Sequence, residues 1–301
     1  MNLRDLQYLV EIANLRHFGQ AAEASFVSQP TLSAQIKKLE NYLNVQLIER
    51  TPKKITMTPI GETIVEKAKI ILQNVEDIKN IARFTNDPEA GTLKMGLIPT
   101  LAPYLLPHII PSLNQHFPKL ELLLYEEKTQ SILQKLKEGD LDVVILALPV
   151  DNEGLTEKTL FNEKFFVALP KNHRFCKQKV LKISDLKDEK VLLLEEGHCL
   201  RQQALEVCSN IRAPKNYDFS ATSLETLRHM VTSGVGITLL PELAANVQLP
   251  NQNALVIKHF VEPQPSRQIG MLWRKSSALS KLIEKIAAIS QQSIRDSGYL
   301  N

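Results

Sequence analysis

The hydrophobic pattern of the first sixty residues predicts three helices followed by a hairpin. Apolar side chains recur at helical spacing over residues 3–13 and predict a first helix that ends at Gly19, just beyond Phe18. A short second helix is predicted at residues 20–24, and a third follows Ser28, which can cap it, with Pro30 in its first turn. Two short extended runs, 46–49 and 55–58, complete the order of a winged helix-turn-helix domain.

The polar face of the third helix and the hairpin carry the residues that we expect to contact DNA. A polar helix face can enter the major groove, while a basic hairpin neutralises phosphates. Residues 31–60 contain five basic residues and only two acidic ones. A solvated helical bundle with scattered lysines is the alternative. The candidate DNA-contacting residues are Gln29, Pro30, Thr31, Ser33, Lys37, Lys38, Arg50, Lys53 and Lys54.

A long helix is predicted from Pro59, with Thr58 as its N-cap. Its apolar residues alternate spacings of four and three, which is the pattern of a coiled-coil seam. About 25 helical residues would extend about 40 Å, and a small domain could not cover so long a stripe, so the pattern favours a dimer. Packing on its own domain is the alternative. The seam consists of Ile64, Ala68, Ile71, Val75, Ile78 and Ala82.

After a hinge at Asn86, Asp87, Pro88 and Gly91, strands alternate with helices, as in a parallel, doubly wound sheet. We expect two similar lobes with chain crossings at Pro170 and near residues 263–265, and a cleft between them. Strands are predicted at 93–98, 120–125, 143–148, 165–169, 191–194, 237–240 and 267–273, and helices at 102–114, 131–138, from Cys199, at 223–232 and from Ala278.

These elements divide the 301 residues into three parts. Residues 1–58 form the winged helix-turn-helix domain, 59–86 a linker and dimerisation helix, and 87–301 a regulatory domain. Within the last part, lobe I takes 91–163 and 267–301, and lobe II takes 164–266.

Composition and charge limit the expected cellular location, partners and cysteine chemistry of the protein. No uninterrupted apolar run approaches the roughly 18 residues of a membrane span, so we expect a cytoplasmic protein with no membrane partner. The net charge of +3 is too small to prove a nucleic-acid partner by itself. Three cysteines cannot form a disulfide scaffold in so long a chain, which leaves buried or reactive thiols.

The segment from Phe18 to Glu62, FGQAAEASFVSQPTLSAQIKKLENYLNVQLIERTPKKITMTPIGE, closely resembles the DNA-binding module of LysR-type transcriptional regulators. The resemblance extends over essentially the whole chain. It implies an α/β protein with an N-terminal winged helix-turn-helix, a long linker helix and a two-lobed, periplasmic-binding-protein-like regulatory domain. It also implies a regulator that binds double-stranded promoter DNA as a homo-oligomer, either a dimer or a tetramer built as a dimer of dimers, with RNA polymerase as a candidate partner.

The segment Glu195-Glu196-Gly197-His198-Cys199-Leu200-Arg201, with Cys208 nine residues after the first thiol, resembles the redox segment of the peroxide-sensing branch of that family. The resemblance implies hydrogen peroxide as the signal, a disulfide between Cys199 and Cys208, and a cellular thiol as reductant. Gln202 departs from the acidic residue expected after Arg201, and Cys176 matches no redox position. The implied peroxide pocket consists of Thr100, Thr129, His198, Arg201 and Arg267.

The chemistry of this segment can also be argued from the residues. A cysteine at a helix N-terminus beside cationic donors is more readily a thiolate, which attacks peroxide to give a sulfenic acid that a second thiol converts to a disulfide. If residues 199–208 are helical, nine steps separate the thiols by about 13 Å along the axis. A disulfide requires Cα atoms within about 7 Å, so oxidation must rearrange the segment.

Several pocket residues have a plain structural alternative. Thr100 and Thr129 could be helix N-caps, His198 a satisfied structural donor, and the arginines surface ion pairs.

Three other functions compete with peroxide sensing. A LysR-type regulator could bind a small metabolite between its lobes, with incidental cysteines. A thiol peroxidase would turn over, but nothing in the sequence marks a reductant site. A metal site could use His198, Cys199 and Cys208, although no closely spaced ligand pair supports it. We expect no enzymatic activity, no cofactor and no metal.

Overall fold

The computed structural model describes residues 1–51, 54–86, 90–207, 220–247 and 255–298. The chain forms two compact units, residues 1–82 and 83–301. The assignment of separate roles to residues 1–58, 59–86 and 87–301 stays a prediction.

The first unit has the predicted order of three helices, a hairpin and a long helix. The core is formed by fully buried side chains of α1 and α3, among them Leu9, Ile12, Leu32, Ile36 and Leu39. The elements are α1 (Leu3–Leu15), α2 (Phe18–Ala24), α3 (Gln29–Leu43), β1 (Ile48–Thr51), β2 (Lys54–Met57) and α4 (Pro59–Asn86).

The boundary between the first two helices differs from the sequence prediction. Helix α1 ends at Leu15, and Arg16 takes a left-handed conformation with φ of 51°. Phe18 and Gly19 belong to the first turn of α2, because the His17 side chain caps that helix by accepting a hydrogen bond from the Gln20 N–H. The prediction missed histidine as a cap and took Gly19 for a helix end.

The predicted caps of α3 and α4 are confirmed. Ser28 Oγ accepts a hydrogen bond from the Thr31 N–H, with Pro30 in the first turn. Thr58 Oγ1 accepts from the Gly61 N–H at 2.9 Å and donates to the Gln46 carbonyl at 2.8 Å. Thr58 therefore joins the start of α4 to the chain that enters the hairpin.

The apolar stripe of α4 has two environments. Ile64 packs against the core of the first unit, and Ala68 is buried, with 1% exposed. Ile71 and Ile78, further along, are 40% and 65% exposed. The first part of the stripe thus covers its own domain, and only the later part remains for a second chain. Dimer formation stays a prediction.

The second unit is built on one continuous sheet path in the order β4-β3-β5-β12-β6-β11-β7, with β10 beside β6. Strands β3, β4 and β5 are parallel. Strand β12 runs antiparallel to both β5 and β6. The strands of this path are β3 (Gly91–Leu97), β4 (Leu120–Glu126), β5 (Val143–Leu148), β6 (Leu155–Pro170), β7 (Val180–Leu181), β10 (Thr238–Pro241), β11 (Leu255–Phe260) and β12 (Ser266–Arg274).

The predicted parallel arrangement is confirmed for β3, β4 and β5, but the sheet as a whole is mixed, because β12 runs antiparallel between β5 and β6. Strand β6 has sixteen residues, and it changes partner from β12 at Lys164 to β10 at Phe165. The chain crosses between the two groups of strands at that point, five residues before Pro170. The second crossing of the chain, near residues 263–265, lies beside the first. There the Phe165 N–H donates to the Pro265 carbonyl at 2.8 Å.

Helices and short strands cover this sheet. Helix α6 begins at Thr129, two residues before its predicted start, and α8 has Ser223 as its N-cap. Strands β8 (Leu193–Leu194) and β9 (Ser220–Ala221) form a separate parallel pair. The helices are α5 (Ala102–His116), α6 (Thr129–Glu138), α7 (Cys199–Val207), α8 (Leu224–Thr232), α9 (Glu242–Ala245) and α10 (Ser280–Asp296), with 3-10 turns at Arg174–Lys177 and Ile183–Asp188. Within the described ranges, no helix is long and apolar enough to cross a membrane.

Replacing Thr58 by valine should weaken the junction between the hairpin and α4. Valine keeps the shape but makes neither hydrogen bond, and losing such a cap costs about 1–2 kcal/mol. Hydrogen exchange of the full chain, read by mass spectrometry, should show the first turn of α4 opening about tenfold more often. Thr63→Val, at an exposed position of the same helix, is the control. Equal exchange in both variants would contradict the assignment.

Candidate functional site

Cys199 is the first residue of α7 and follows a tight turn at residues 195–198. Gly197 in that turn has φ of +91°, and a Cβ there would lie 2.9 Å from Cδ of Lys128, so both conformation and space require glycine. The Cys199 thiol is free and partly buried, and it packs against the main core. The sequence thus places one thiol at a helix N-terminus, where backbone N–H groups favour negative charge.

His198, the neighbour of Cys199, is buried without the hydrogen bonds that a buried imidazole normally makes. Its side chain is 3% exposed, and neither ring nitrogen has a hydrogen-bond partner within the described part of the chain. The nearest carboxylate oxygen, of Glu195, lies 3.9 Å from Nε2. Burial lowers the pKa of His198, and the Lys128 charge lowers it further, against a smaller opposing effect of Glu195. A neutral imidazole can donate from one nitrogen and accept at the other.

Lys128 fastens the turn that precedes Cys199. Its Nζ donates to Glu195 Oε1 at 2.5 Å and to the Glu196 carbonyl at 3.1 Å. The hydrogen bond and the charge of Lys128 lower the pKa of the Glu195 carboxyl. Lys128 precedes α6 in the predicted lobe I, and the turn precedes α7 in the predicted lobe II. These bonds therefore join the two lobes, which are the two halves of the second unit, beside the thiol. We call Lys128, Glu195 and Glu196 the lysine clamp.

Arg201 and Thr129 have different surroundings. Arg201 Nη1 donates to the Leu194 carbonyl at 2.9 Å, which ties α7 back to strand β8. Thr129 is the first residue of α6, and its hydroxyl is buried with no hydrogen-bond partner among the described residues. The N-cap of α6 is Lys128, so Thr129 does not cap the helix. A buried hydroxyl without a partner can serve a small polar ligand.

Thr100 and Arg267 meet in a buried network. Arg267 Nη1 and Nη2 donate to the hydroxyl and the carbonyl of Thr100, each at 3.2 Å, while Nε donates to Glu163 Oε2 at 2.7 Å. Arg267 is 3% exposed, so its ion pair is not a surface pair. Thr100 does not cap α5, whose N-cap is Leu101. Neither threonine therefore caps a helix.

A cavity of about 310 Å³ opens between the two halves of the second unit, with His198 in its wall. Of the predicted pocket residues, only His198 lines this cavity, while Thr100 and Thr129 follow the lining residues Pro99 and Lys128 in the chain. Its lining consists of Pro99, Pro103, Tyr104, Glu126, Glu127, Lys128, Glu195, His198, Thr222, Ser223, Leu224 and Glu225.

A hydrogen bond crosses this cavity wall from one half to the other. The Tyr104 hydroxyl on α5 donates to Glu225 Oε1 on α8 at 2.7 Å. Burial raises the pKa of Tyr104, and Glu225 raises it further, so tyrosine remains a neutral donor. Burial also raises the pKa of Glu126. The cavity is therefore lined by polar groups and held by contacts from both sides.

In the first unit, most of the predicted DNA-contacting residues of α3 are exposed. Gln29, Pro30, Thr31, Lys37 and Lys38 are exposed, while Ser33 is half-buried. Arg50 pairs with Ile55 and Lys54 with Thr51 in the β1–β2 hairpin, and only their backbone positions are described. Lys53 lies outside the described residues.

Cys208, the other predicted redox thiol, also lies outside the described residues. Cys176 is partly buried, and its Sγ donates to the Pro170 carbonyl at 3.4 Å. Among the described side chains, no group of three or more His, Cys, Asp or Glu residues could hold a metal ion.

Comparison with known families accounts for both units. Residues 3–62 match the family described as "Bacterial regulatory helix-turn-helix protein, lysR family", and residues 86–295 match the "LysR substrate binding domain". The chain belongs to the LysR family of transcriptional regulators. This membership confirms the predicted helix-turn-helix and two-lobed α/β architecture.

Individual LysR-family relatives are similar over nearly the full length. The "DNA-binding transcriptional dual regulator OxyR" of Escherichia coli K12 is 46% identical over 287 residues, which are 95% of this chain and 94% of that protein. Full-length OxyR of Pseudomonas aeruginosa, solved as a cysteine-to-aspartate variant, has a TM-score of 0.80 at 37% identity, covering 97% of this chain and 95% of that one. A mutant OxyR of Corynebacterium glutamicum with H2O2 bound has a TM-score of 0.65 at 34% identity, covering 98% and 93%.

Two contacts of this LysR-family site were not found from the sequence. The lysine clamp joins residues 67 positions apart, and Glu163 meets Arg267 across 104 positions. The sequence predicted a role for neither Lys128 nor Glu163. Neither position has a local pattern that marks it, because each contact arises only when the two halves come together.

Replacing Lys128 by methionine should raise the pKa of His198 towards its ordinary value of about 6.5, because a positive charge beside the ring is removed. The pKa should stay below that value, since burial remains. Side-chain NMR titration of the full-length protein would measure it, with Lys137→Met, whose partner is Asp151, as the control. An unchanged His198 pKa would contradict the arrangement.

The same substitution has a consequence for stability. A lowered histidine pKa means that the folded protein binds fewer protons than the unfolded chain, so stability falls as pH drops below about 6.5 and levels off below the folded pKa. Lys128→Met should narrow this pH range, because it brings the pKa of His198 in the folded protein closer to its value in the unfolded chain.

Proposed function

We propose that this LysR-family protein is a transcriptional regulator that senses hydrogen peroxide through Cys199 and controls oxidative-stress genes. The observation that carries the proposal is a partly buried thiol at the start of α7, directly beside a buried imidazole with two unpartnered ring nitrogens. Peroxide is small and neutral and can both donate and accept hydrogen bonds, which suits such a site. The peroxide-bound structure of a relative at 34% identity supports the same choice of ligand.

The reaction has two steps. The thiolate sulfur of Cys199 attacks one peroxide oxygen, the O–O bond breaks, and the departing hydroxide takes up a proton to become water, which leaves a sulfenic acid. The sulfur of Cys208 then attacks the Cys199 sulfur, the S–O bond breaks, and a second water leaves. The two sulfurs thus supply the two electrons that reduce peroxide. A cellular dithiol would restore both thiols by exchange.

The length of α7 supports a structural change during the second step. The helix is continuous from Cys199 to Val207, so eight steps span about 12 Å along the axis. Consecutive Cα atoms are about 3.8 Å apart, so a residue bonded to Val207 cannot come within about 7 Å of the Cys199 Cα while α7 is intact. Disulfide formation would therefore require α7 to unwind, at least in part.

The position of α7 would transmit that change to the cavity wall and to α8. Residues 195–219 are bounded by β8 and β9, which pair in parallel through Leu193 with Ser220 and Leu194 with Ala221. Directly after β9, Ser223 caps α8, and Ser223 also lines the cavity. A rearranged segment would act on both the cavity wall and α8. We propose that the DNA-binding heads of a homo-oligomer, a dimer of dimers, respond to this change at promoters in the cytoplasm, where RNA polymerase is a candidate partner.

A second candidate function rests on the cavity. Its volume of about 310 Å³ would accept a small organic molecule, in which case the cysteines would be incidental. The experiment below separates the two functions.

A brief stoichiometric dose of peroxide should crosslink Cys199 to Cys208 in the reduced full-length protein. Peptide mapping by mass spectrometry after trapping of free thiols would detect the bond. Cys199→Ser should lose it, and Cys176→Ser, the matched control at the remaining cysteine, should keep it. If both thiols stay free while DNA binding responds to an organic compound, peroxide sensing is wrong and the metabolite regulator is favoured.

Lys37→Ala should weaken DNA binding similarly for all sequences and make the dependence of log Kd on log salt shallower by about one unit, because one phosphate contact is lost. Gln29→Ala should instead relax the preference at one or two base pairs. Fluorescence anisotropy with duplexes selected from a random pool would measure both. Lys281→Ala, an exposed lysine of the other unit, is the control. Unchanged affinity and salt slope in Lys37→Ala would remove α3 as the contacting helix.

A further inference from the structure

Glu163 is a completely buried carboxylate at the crossing of the chain between the two groups of strands. Oε2 accepts a hydrogen bond from Arg267 Nε at 2.7 Å, and Oε1 accepts one from the Leu243 N–H at 3.0 Å. Arg267 lies on β12 and Leu243 on α9. Both carboxylate oxygens are therefore occupied by donors from different elements, which fixes the plane of the carboxylate.

That plane determines where the arginine points. With Nε held by Glu163, the planar guanidinium has little freedom to rotate, and its two η nitrogens donate to the hydroxyl and the carbonyl of Thr100. Thr100 follows β3 and is 2% exposed. The buried chain of bonds runs from Leu243 through Glu163 and Arg267 to a single hydroxyl.

The direction of these bonds has a chemical consequence. Arginine has no acceptor, so the Thr100 oxygen must accept from Arg267, and its own proton remains available for another acceptor. The adjacent Pro99 lines the same cavity as His198. A hydroxyl whose oxygen is held by a cation is a better donor to a peroxide oxygen that gains negative charge as the O–O bond breaks.

We propose that Glu163 is a positioning residue for the oxidation of Cys199: it orients Arg267, which orients the Thr100 hydroxyl as a donor to the departing peroxide oxygen. This inference rests on the proposed peroxide-sensing function. Glu163 would touch neither peroxide nor sulfur, and its effect would pass entirely through Thr100. That dependence separates positioning from a purely structural ion pair.

A double-mutant cycle between Glu163→Gln and Thr100→Val tests this dependence. All proteins are full-length and carry Cys176→Ser and Cys208→Ser, so that Cys199 is the reacting thiol. The rate constant for sulfenic acid formation with hydrogen peroxide is measured by chemical trapping and mass spectrometry. The rate of Cys199 alkylation by iodoacetamide, which needs no peroxide pocket, is measured in parallel.

Glu163→Gln alone should slow the peroxide reaction by about tenfold, the effect of one lost hydrogen bond in the transition state, and leave alkylation nearly unchanged. In the Thr100→Val background the same substitution should change the peroxide rate by a factor close to one, because the hydroxyl that it positions is gone. Glu163→Asp, which keeps the charge, should recover part of the rate.

Two results would overturn the inference: an unchanged peroxide rate in folded Glu163→Gln, or an equal loss with and without the Thr100 hydroxyl. If Glu163→Gln does not fold, Glu163→Asp replaces it in the cycle and should show a smaller loss with the same dependence on Thr100. Failure of the parent protein to react with peroxide at all would instead refute the proposed function, so the two failures are distinguishable.

Discussion

Strand β6 is the constraint on which the second unit depends. Its first half pairs with β12 and its second half with β10 and β11, so one continuous strand belongs to both halves. Pairing with β12 before the crossing point and with β10 after it restricts the backbone there. Glu163 lies at this point, where a side chain can reach β12 and α9 together. The strand shared by both halves therefore supports the buried network that ends at Thr100.

Around Cys199 the balance of charge is unusual for a site beside an open cavity. Burial keeps His198 neutral, and Lys128 neutralises Glu195 at a distance from the thiol's own helix. Cys199 itself lies at the N-terminal end of α7. A small neutral oxidant meets no desolvation penalty for charge on entering such a site, whereas a large anion would.

Local signals predicted the local structure well. Ser28 and Thr58 cap helices as predicted, and the domain architecture follows from the order of the elements. The failures are nonlocal. The first half of β6 mixes charged residues with apolar ones and was not predicted, and the mixed sheet depends on how β12 returns between β5 and β6. The lysine clamp and Glu163 depend on that return, so the sequence could supply the reactive residues but not what orients them.

The β8–β9 pair and the β6–β12 pair differ in length. This difference explains why a covalent change at Cys199 would act on one segment and leave the rest in place. Strands β8 and β9 have two residues each and, among the described strands, pair with one another alone, whereas β6 and β12 share a register of nine residues on the β12 side. Few backbone bonds mean a low free energy of local opening. The proposed disulfide between Cys199 and Cys208 would therefore act on α7, which follows the short strand β8, before it acted on the β6–β12 pair. The β6–β12 pair, with Glu163, Arg267 and Thr100, would stay in place and keep the site ready for the next reduced cycle.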